Sequence, residues 1–295
     1  MKLNKIIIFS TVVCTLFMGG IMTKAADRVD NESIMCVSKD LKTQEIEVYS
    51  LPIDVSKSMT LFAPGSDEQN VATNIENDFG IDLLGIIGDD NRKIVSDPTA
   101  TPYSHICYAP FTYGNGSAVS ATAWLAGPSV AVTSAHCVYD AGKGGWIKSM
   151  RLYPGYTSGK SAPFGSANVV KMHVYQSWID EGGAKNDFAI LELDRPIGNN
   201  AGYFGFAYGT SLVNQKVRIT GYPGNRQGIM KKSVNIVYKE TEKMLYHYVD
   251  TTGGQSGSPL YRSGIVYGVQ SRGNTQYNIA YRFTEASFNW LLSFR

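Results

Sequence analysis

The chain has 295 residues, of which 43% are hydrophobic and 18% are charged. This composition is too apolar for a disordered protein, and the length suffices for one large domain or two small ones. The 30 glycines and 18 tyrosines favour many turns between β-strands over a helical bundle rich in Ala, Glu, Lys and Leu. Four cysteines are too few for a small disulfide-dense scaffold.

The first 25 residues have the features of a secretory signal peptide. A basic start, Met1–Lys5, precedes an apolar run over 6–22 and the small-x-small sequence Thr23-Lys24-Ala25. A membrane anchor is the less favoured alternative, because the run is short for a bilayer span of about 20 residues. We therefore predict a signal peptide over 1–25 and a secreted, extracellular protein without a membrane attachment.

Charge is distributed unevenly, although the total is only +2. Residues 26–85 contain 4 Lys/Arg against 12 Asp/Glu, a net charge of −8, whereas residues 86–295 contain 20 against 13, a net charge of +7. This asymmetry predicts an acidic propeptide over 26–85 that docks by opposite charge on the domain at 86–295 and acts as its intramolecular inhibitor. An acidic extension without a role is the alternative.

After residue 86, short apolar runs alternate with Gly, Pro, Asn and Asp at intervals of roughly 8 to 15 residues, a pattern typical of β-sandwiches and barrels. The predicted strands include 130–132, 188–193, 217–220, 234–238, 245–249 and 264–270. Only Glu285–Arg295 has helical spacing, with Phe288, Leu291, Leu292 and Phe294 near one face. The sequence therefore predicts an all-β domain closed by a C-terminal helix.

Three separate segments carry residues suited to nucleophilic catalysis. His136 ends an apolar strand, Asp187 begins another apolar run, and Ser256 lies among the glycines of Gly253–Pro259. A serine hydroxyl needs an adjacent base to become a nucleophile, and that base needs an acceptor that orients it. Taken singly, each segment is more simply a structural histidine, a strand-start aspartate or a flexible loop. Together they supply all three parts.

The glycines around Ser256 also point to a second element of catalysis. They allow a turn in which the Ser256 hydroxyl projects while the backbone amides of Gly254 and Ser256 converge on one spot. Two convergent N–H groups are what stabilises a tetrahedral oxyanion. We therefore predict the oxyanion hole at these two residues.

The order His136, Asp187, Ser256, with separations of 51 and 69 residues, resembles the chymotrypsin-like serine peptidases. Subtilisins and α/β-hydrolases use other orders. More narrowly, the chain is similar to the glutamyl endopeptidases secreted by Gram-positive bacteria. That similarity extends over nearly all of 86–295 and rests on four motifs: Ile86–Arg92, Gly202–Gly205, Gly221–Gly224 and Gly253–Pro259. It implies two six-stranded antiparallel β-barrels and a serine endopeptidase that works through an acyl-enzyme.

The resemblance also implies roles for individual residues. His136 would be general base and then general acid, Asp187 would orient it, and Ser256 would attack the scissile carbonyl. The mature chain would begin within Gly85 to Ile87, where the freed α-amine of relatives helps form the substrate pocket.

The substrate pocket is where this chain departs from the family. The resemblance places it at Thr251 and Gln270, and glutamyl endopeptidases have a histidine at the position of Gln270. A glutamine amide can donate a hydrogen bond to a substrate carboxylate but carries no charge. We therefore expect a preference for Glu before the scissile bond, with relaxed selectivity.

Other preferences stay open at this stage. Asp250 lies six residues before Ser256, where trypsin-like enzymes place the acid that binds Lys or Arg. The net charge of +7 over 86–295 and Arg272 beside the pocket strand favour an acidic substrate residue instead. A Lys/Arg or broad preference is the alternative, and a non-catalytic protease-fold binding protein is a more distant one.

We expect protein or peptide substrates and no cofactor. Asp89 and Asp90 leave a calcium site as an alternative. The three remaining histidines show no metal-ligand spacing and are expected to be structural or exposed; they are His105, His173 and His247. Lys231-Lys232 is interpreted as a solvated loop, with no nucleic-acid binding.

Two cysteines, Cys107 and Cys137, would remain in the mature domain. Relatives often pair the cysteine after the catalytic histidine with one near position 121, where this chain has Ala121. A bridge between Cys107 and Cys137 and a pair of buried thiols are both consistent with the sequence.

Overall fold

The computed structural model describes residues 33–51 and 85–295. The predicted signal peptide (1–25) lies outside the described residues, and so do residues 26–32 and 52–84 of the predicted propeptide. No helix within the described ranges is long and apolar enough to cross a membrane.

Strands are the main regular secondary structure of the described residues, and the helices are short. In chain order the strands are β1 (Ile34–Asp40), β2 (Ile46–Leu51), β3 (Lys93–Ile94), β4 (Ile106–Thr112), β5 (Ala118–Leu125), β6 (Val130–Thr133), β7 (Tyr139–Asp140), β8 (Gly145–Trp146), β9 (Ser149–Pro154), β10 (Ala167–Tyr175), β11 (Ala189–Leu193), β12 (Gly205–Phe206), β13 (Lys216–Gly221), β14 (Lys231–Glu240), β15 (Met244–His247), β16 (Pro259–Arg262), β17 (Ile265–Gly273) and β18 (Asn278–Arg282). The α-helices are α1 (Gln176–Glu181), α2 (Gly198–Ala201) and α3 (Glu285–Leu292).

The first barrel consists of six antiparallel strands. They pair in the order β4, β5, β6, β11, β10 and β9, and β9 pairs back with β4 to close the barrel. Alternating residues of each strand point inward, so Met150 and Leu152 of β9 are buried while Arg151 between them is exposed. The interior is filled by small and aliphatic side chains that include Ala109 and Leu191.

The second barrel is closed in the same way. Its strands pair in the order β13, β14, β15, β18, β17 and β16, and β16 pairs with β13. Its interior is a separate cluster around Val217, Ile219, Leu245 and Leu260. The predicted fold class of two six-stranded antiparallel barrels is thus confirmed.

A third cluster, rich in aromatic rings, lies between the barrels and α3. It includes Trp124, Phe188 and Tyr281, and Phe188 stacks on Tyr281 with ring centroids 5.2 Å apart. Aromatic rings bury large areas and so contribute strongly to the free energy of folding. This cluster connects β5, β11 and β18, which places the start of β11 at the seam between the barrels.

The C-terminal helix is confirmed, with one correction to its buried face. α3 begins with a capping box in which Thr284 accepts a hydrogen bond from the amide of Ser287. Trp290 and Leu291 are buried, whereas Leu292, predicted near the same face as Leu291, is 47% exposed. The larger Trp290 side chain takes the core position because it packs on Tyr175, with ring centroids 4.9 Å apart.

The predicted strands are confirmed with shifted ends, but the interpretation of Lys231-Lys232 as a loop is wrong. Both residues belong to β14 and pair with β3. Lys232 donates a hydrogen bond to the Tyr103 hydroxyl at 2.8 Å, and Lys231 lies 3.8 Å from the Asp90 carboxylate. Strand pairing and local ion pairing therefore account for these lysines.

Two strands come from the predicted propeptide. β1 and β2 form a hairpin, and β1 pairs antiparallel with β10 of the first barrel. The first barrel is therefore extended by two strands that precede the predicted mature domain.

Candidate active site

His136 and Asp187 form a directly hydrogen-bonded pair at the barrel seam. His136 lies in the 3₁₀ turn Ala135–Cys137 after β6, and Asp187 immediately precedes the run into β11. The Asp187 carboxylate accepts two hydrogen bonds from His136, one from the backbone amide at 2.9 Å and one from ring Nδ1 at 2.8 Å. A carboxylate only accepts, so Nδ1 carries the proton and Nε2 can accept one.

The environment of Asp187 keeps it ionised. Burial opposes the charge, but His136, Arg272 and the hydroxyl of Ser271 outweigh burial and lower the pKa of the carboxyl below its usual value. Ser271 donates its hydrogen bond to the same oxygen that accepts from Nδ1. Sequence analysis missed Ser271, because its contact joins two barrels and has no local signal.

One carbonyl oxygen brings the histidine turn and the serine loop together. The Gln270 carbonyl accepts from the Ser134 hydroxyl at 2.7 Å and from the Gly257 amide at 2.8 Å. Ser134 lies two residues before His136, and Gly257 follows Ser256. The chain thus places all three predicted triad residues in one region.

Thr122 of β5 joins the serine loop to the first barrel. Its amide donates to the Ser256 carbonyl at 3.0 Å and its hydroxyl donates to the Gly254 carbonyl at 2.9 Å. The same hydroxyl accepts from the amide of Tyr222 at 2.8 Å. Nothing in the sequence around Thr122 indicated this role, which only strand packing creates.

Backbone contacts position Ser256: its carbonyl accepts from the Thr122 amide at 3.0 Å, and the amide of the next residue, Gly257, donates to the Gln270 carbonyl at 2.8 Å. Gly254 has φ of +90°, and a Cβ there would lie 2.4 Å from the Gly224 nitrogen. Only glycine fits this turn. The use of the Gly254 and Ser256 amides as oxyanion donors stays a prediction.

Arg92 supports the turn just before Ser256. Its buried guanidinium pairs with both oxygens of Asp90 at 2.9 Å, and it donates to the Thr252 hydroxyl and, at 3.1 Å, to Gln255 Oε1. The hydrogen bonds from Arg92 to the Asp90 carboxylate lower the pKa of Asp90 to about 2. Arg92 belongs to the motif that carries the family resemblance, but its contact with the serine loop could not be inferred from spacing.

We expect Arg92→Leu to lower kcat roughly 10- to 100-fold with little change in KM, because loosening Thr252–Gln255 misplaces the predicted oxyanion donors. Arg195→Leu is the matched control, since Arg195 is exposed and its ion pair among the described residues is with neighbouring Asp194. Steady-state kinetics and thermal melting of both variants check this. An unchanged kcat in a folded Arg92→Leu enzyme contradicts the positioning role.

The two predicted pocket residues, Thr251 and Gln270, are fully buried. The Thr251 hydroxyl has no hydrogen-bond partner among the described residues. Gln270 Oε1 lies 2.8 Å from His247 Nε2, and Gln270 Nε2 donates to the Arg272 carbonyl at 3.3 Å. His247 was expected to be structural or exposed, and it is structural, since it is buried against the pocket strand β17.

Asp250 is engaged by the backbone of the segment that precedes the barrels. Its two carboxylate oxygens accept the amides of Ile87 and Asn91, each at 2.9 Å. Asp250 is almost fully buried. Each oxygen of Asp250 therefore already accepts a backbone hydrogen bond, and neither is reserved for a cationic substrate side chain.

Cysteines and acidic residues complete the description of the site. Cys107 and Cys137 are unpaired, buried thiols. The structure therefore shows no bridge between these two residues.

The described acidic residues near the site do not form a metal centre. Asp90 already pairs with Arg92 and Lys231. Within residues 33–51 and 85–295, no group of three or more His, Cys, Asp or Glu side chains is arranged to hold a metal ion.

The chain resembles known peptidases in sequence and in structure. The trypsin family profile matches residues 94–290. A glutamyl endopeptidase of Bacillus licheniformis is 34% identical over 228 residues, 72% of this chain and 70% of the relative. An extracellular metalloprotease of Bacillus subtilis is 26% identical over 301 residues, 95% of this chain and 93% of the relative. A solved structure of a Glu endopeptidase in complex with MPD has a TM-score of 0.65 at 29% identity, covering 71% of this chain and 98% of its own.

The profile match covers more than half of the chain, and two closed barrels bring the His136–Asp187 pair next to the loop of Ser256. The chain therefore belongs to the trypsin family and is a serine endopeptidase.

Proposed function

We propose that this endopeptidase cleaves proteins and peptides after glutamate, with relaxed selectivity. The relatives named glutamyl endopeptidases support this substrate class. The observation that carries the proposal is the engagement of Asp250, whose two oxygens accept backbone amides from Ile87 and Asn91. A pocket for Lys or Arg needs an acceptor carboxylate that the enzyme itself leaves unshared.

The orientation of the Gln270 amide supports recognition of a carboxylate. Burial lowers the pKa of His247 to about 4, so its ring is neutral at pH 7. Its Nδ1 accepts the Val249 amide at 3.2 Å, and Nε2–H therefore donates to Gln270 Oε1. This contact fixes which end of the amide is the donor. One N–H of Gln270 goes to the Arg272 carbonyl, and the other is a donor for the substrate.

Matched peptides with Glu, Asp, Gln, Lys or Phe before the scissile bond test the proposal. We expect the highest kcat/KM with Glu and a Glu:Gln ratio that increases about tenfold in Gln270→His at pH 6, where an imidazole can be protonated. Gln276→His is the control, because Gln276 lies in an exposed turn. A preference for Lys over Glu in the parent enzyme overturns the proposal.

We also propose that the protein is secreted as a zymogen whose chain is cut before Gly85, Ile86 or Ile87, which separates the propeptide covalently from the peptidase domain. Gly85 is buried, and a Cβ there would lie 1.6 Å from the Asn274 carbonyl oxygen. Its amide donates to Asn278 Oδ1 at 2.9 Å. An α-amine freed at Gly85 would occupy this buried acceptor, next to the Thr251 amide that donates to the Gly85 carbonyl.

N-terminal sequencing of the large chain of the secreted enzyme is expected to find a start within Gly85 to Ile87. Processing in this window cuts the covalent link to the acidic segment and leaves Ile87 and Asn91 on Asp250. A fully active enzyme that begins upstream of Thr73 contradicts the proposal.

Metal dependence is a separate question, because the Bacillus subtilis relative is named a metalloprotease. We propose that turnover here needs no metal ion or other cofactor. The His136–Asp187 pair supports this, since it can activate a serine hydroxyl without a Lewis acid. A calcium ion at Asp89 and Asp90 would have to compete with Arg92 and Lys231.

A further inference from the structure

The hairpin of β1 and β2 is built into the first barrel by regular strand pairing. Cys36 lies opposite Tyr175 and Asp40 opposite Lys171, with every intervening residue of β1 in register with β10. β10 pairs through its first residues with β9 and through its later residues with β11 and β1. Without the hairpin, β10 would present an open edge along these later residues.

Side chains of the hairpin also enter the interior of the domain. Val37 belongs to the core of the first barrel, and Cys36 belongs to the aromatic cluster between the barrels. Both are buried, as is Ser38. Burial raises the pKa of the Cys36 thiol well above its ordinary value. These residues are core residues although the propeptide is predicted to contain them.

Tyr49 of β2 completes a chain of hydrogen bonds that reaches α3. Trp290 Nε1 donates to the Tyr49 hydroxyl at 3.2 Å, and that hydroxyl lies 2.9 Å from His173 Nδ1. His173 Nε2 lies 2.8 Å from the Glu192 carboxylate. Burial lowers the pKa of His173 despite Glu192, so the neutral ring accepts from Tyr49 and donates to Glu192.

Opposite charge also contributes to the docking of the hairpin. Lys171 of β10 donates to the Glu47 carboxylate at 2.7 Å, and both side chains are partly exposed. An exposed ion pair of this kind adds little to stability. Backbone pairing and buried side chains therefore contribute more to the attachment of the hairpin than this ion pair does.

We propose that the hairpin Ile34–Leu51 stays noncovalently bound to the peptidase domain after the chain is cut between residues 51 and 85. It is a permanent two-strand partner of the first barrel. Its contacts lie on β10 and α3. The mature enzyme is then a complex of two chains. This inference depends neither on the natural cleavage site nor on the substrate preference.

The test uses the chain from Ala26 with Ser256→Ala, which prevents self-processing, and a site for a sequence-specific protease inserted within residues 60–70. After cleavage, native gel filtration is run at low salt and at about 1 M NaCl, where the Debye length is about 3 Å. We expect the N-terminal fragment to co-elute with the C-terminal fragment, which contains residues 85–295, under both conditions. Separation of the fragments at low salt overturns the proposal. Separation only at high salt means that ion pairs hold the hairpin, which contradicts attachment by strand pairing and buried side chains.

Labelling of Cys36 with a thiol reagent provides a second readout, because the other described cysteines are buried in the domain itself. In the cut protein, Cys36 is expected to react as slowly as in the uncut protein. Reaction at the rate of an unfolded peptide thiol contradicts continued docking. Mass spectrometry of the labelled fragment assigns the reaction to Cys36.

Variants of β2 separate docking from folding. Tyr49→Ala is expected to accelerate Cys36 labelling in the cut protein by at least about tenfold, because it removes a ring that packs on His173 and Trp290. Tyr49→Phe keeps the ring and should have a smaller effect. Val48→Ala is the control, since Val48 is exposed. Each uncut variant is first shown to be folded by circular dichroism. Equal labelling rates in Tyr49→Ala and Val48→Ala refute the attachment through Tyr49.

Discussion

Ser256→Ala is expected to lower kcat by about a million-fold while leaving the fold intact, because the residues of a catalytic triad act as a unit. The loop that carries Ser256 is held by Thr122 and by the Gln270 carbonyl through backbone and threonine groups that the substitution keeps. Steady-state turnover of a peptide substrate, together with thermal melting, measures both outcomes.

Labelling with a fluorophosphonate assigns the nucleophile directly. The parent enzyme is expected to incorporate the reagent at Ser256, and Ser256→Ala is expected to incorporate none. Ser161→Ala, at an exposed loop residue, should behave like the parent. Incubation with EDTA is expected to leave turnover of the parent unchanged. More than a trace of turnover in Ser256→Ala, or complete loss of activity in EDTA, contradicts a metal-independent serine mechanism.

Asp187→Asn is expected to lower kcat by about 10⁴-fold. In the parent, Oδ1 accepts from the His136 amide and Oδ2 accepts from both ring Nδ1 and the Ser271 hydroxyl. An asparagine has only one acceptor oxygen. Its NH₂ group would therefore face either the His136 amide or the pair formed by ring Nδ1 and the Ser271 hydroxyl, all of which are donors in the parent. If the NH₂ group faces the ring, the proton moves to Nε2 and His136 can no longer accept one from Ser256.

Crystallography or the pH profile of Asp187→Asn distinguishes this tautomer effect from unfolding. A changed tautomer of His136 leaves the contacts between the barrels intact, whereas unfolding destroys them. Asp180→Asn is the control, since Asp180 is an exposed residue of α1 that contacts Gln176. A loss of less than about tenfold in a folded Asp187→Asn enzyme excludes Asp187 as the residue that orients His136.

Local sequence was sufficient to predict the strands and the catalytic residue types. Strands such as β13 alternate apolar and polar residues. The glycines around Ser256 predict a turn whose positive φ angles few other residues permit. The order of the three motifs then indicated the family. These features depend on neighbours along the chain, which is why they could be recognised without coordinates.

Contacts between distant segments could not be predicted in this way. Asp250 looked like a candidate for binding Lys or Arg, but the backbone of Ile87 and Asn91 occupies it. Gln270 looked like a weaker substitute for histidine, but His247, which is 23 residues away, orients its amide. In both cases the function of a side chain depends on a partner that only folding brings to it.

The sequence by itself determined an all-β serine endopeptidase with His136, Asp187 and Ser256 as its catalytic candidates, because residue types, order and periodicity are properties of the chain. The tertiary structure decided how the site is supported, through Arg92, Thr122 and the Gln270 carbonyl. It also decided that a hairpin from the predicted propeptide extends the first barrel by two strands. Strand pairing and burial join residues that are far apart in sequence, and no local pattern encodes which partners meet.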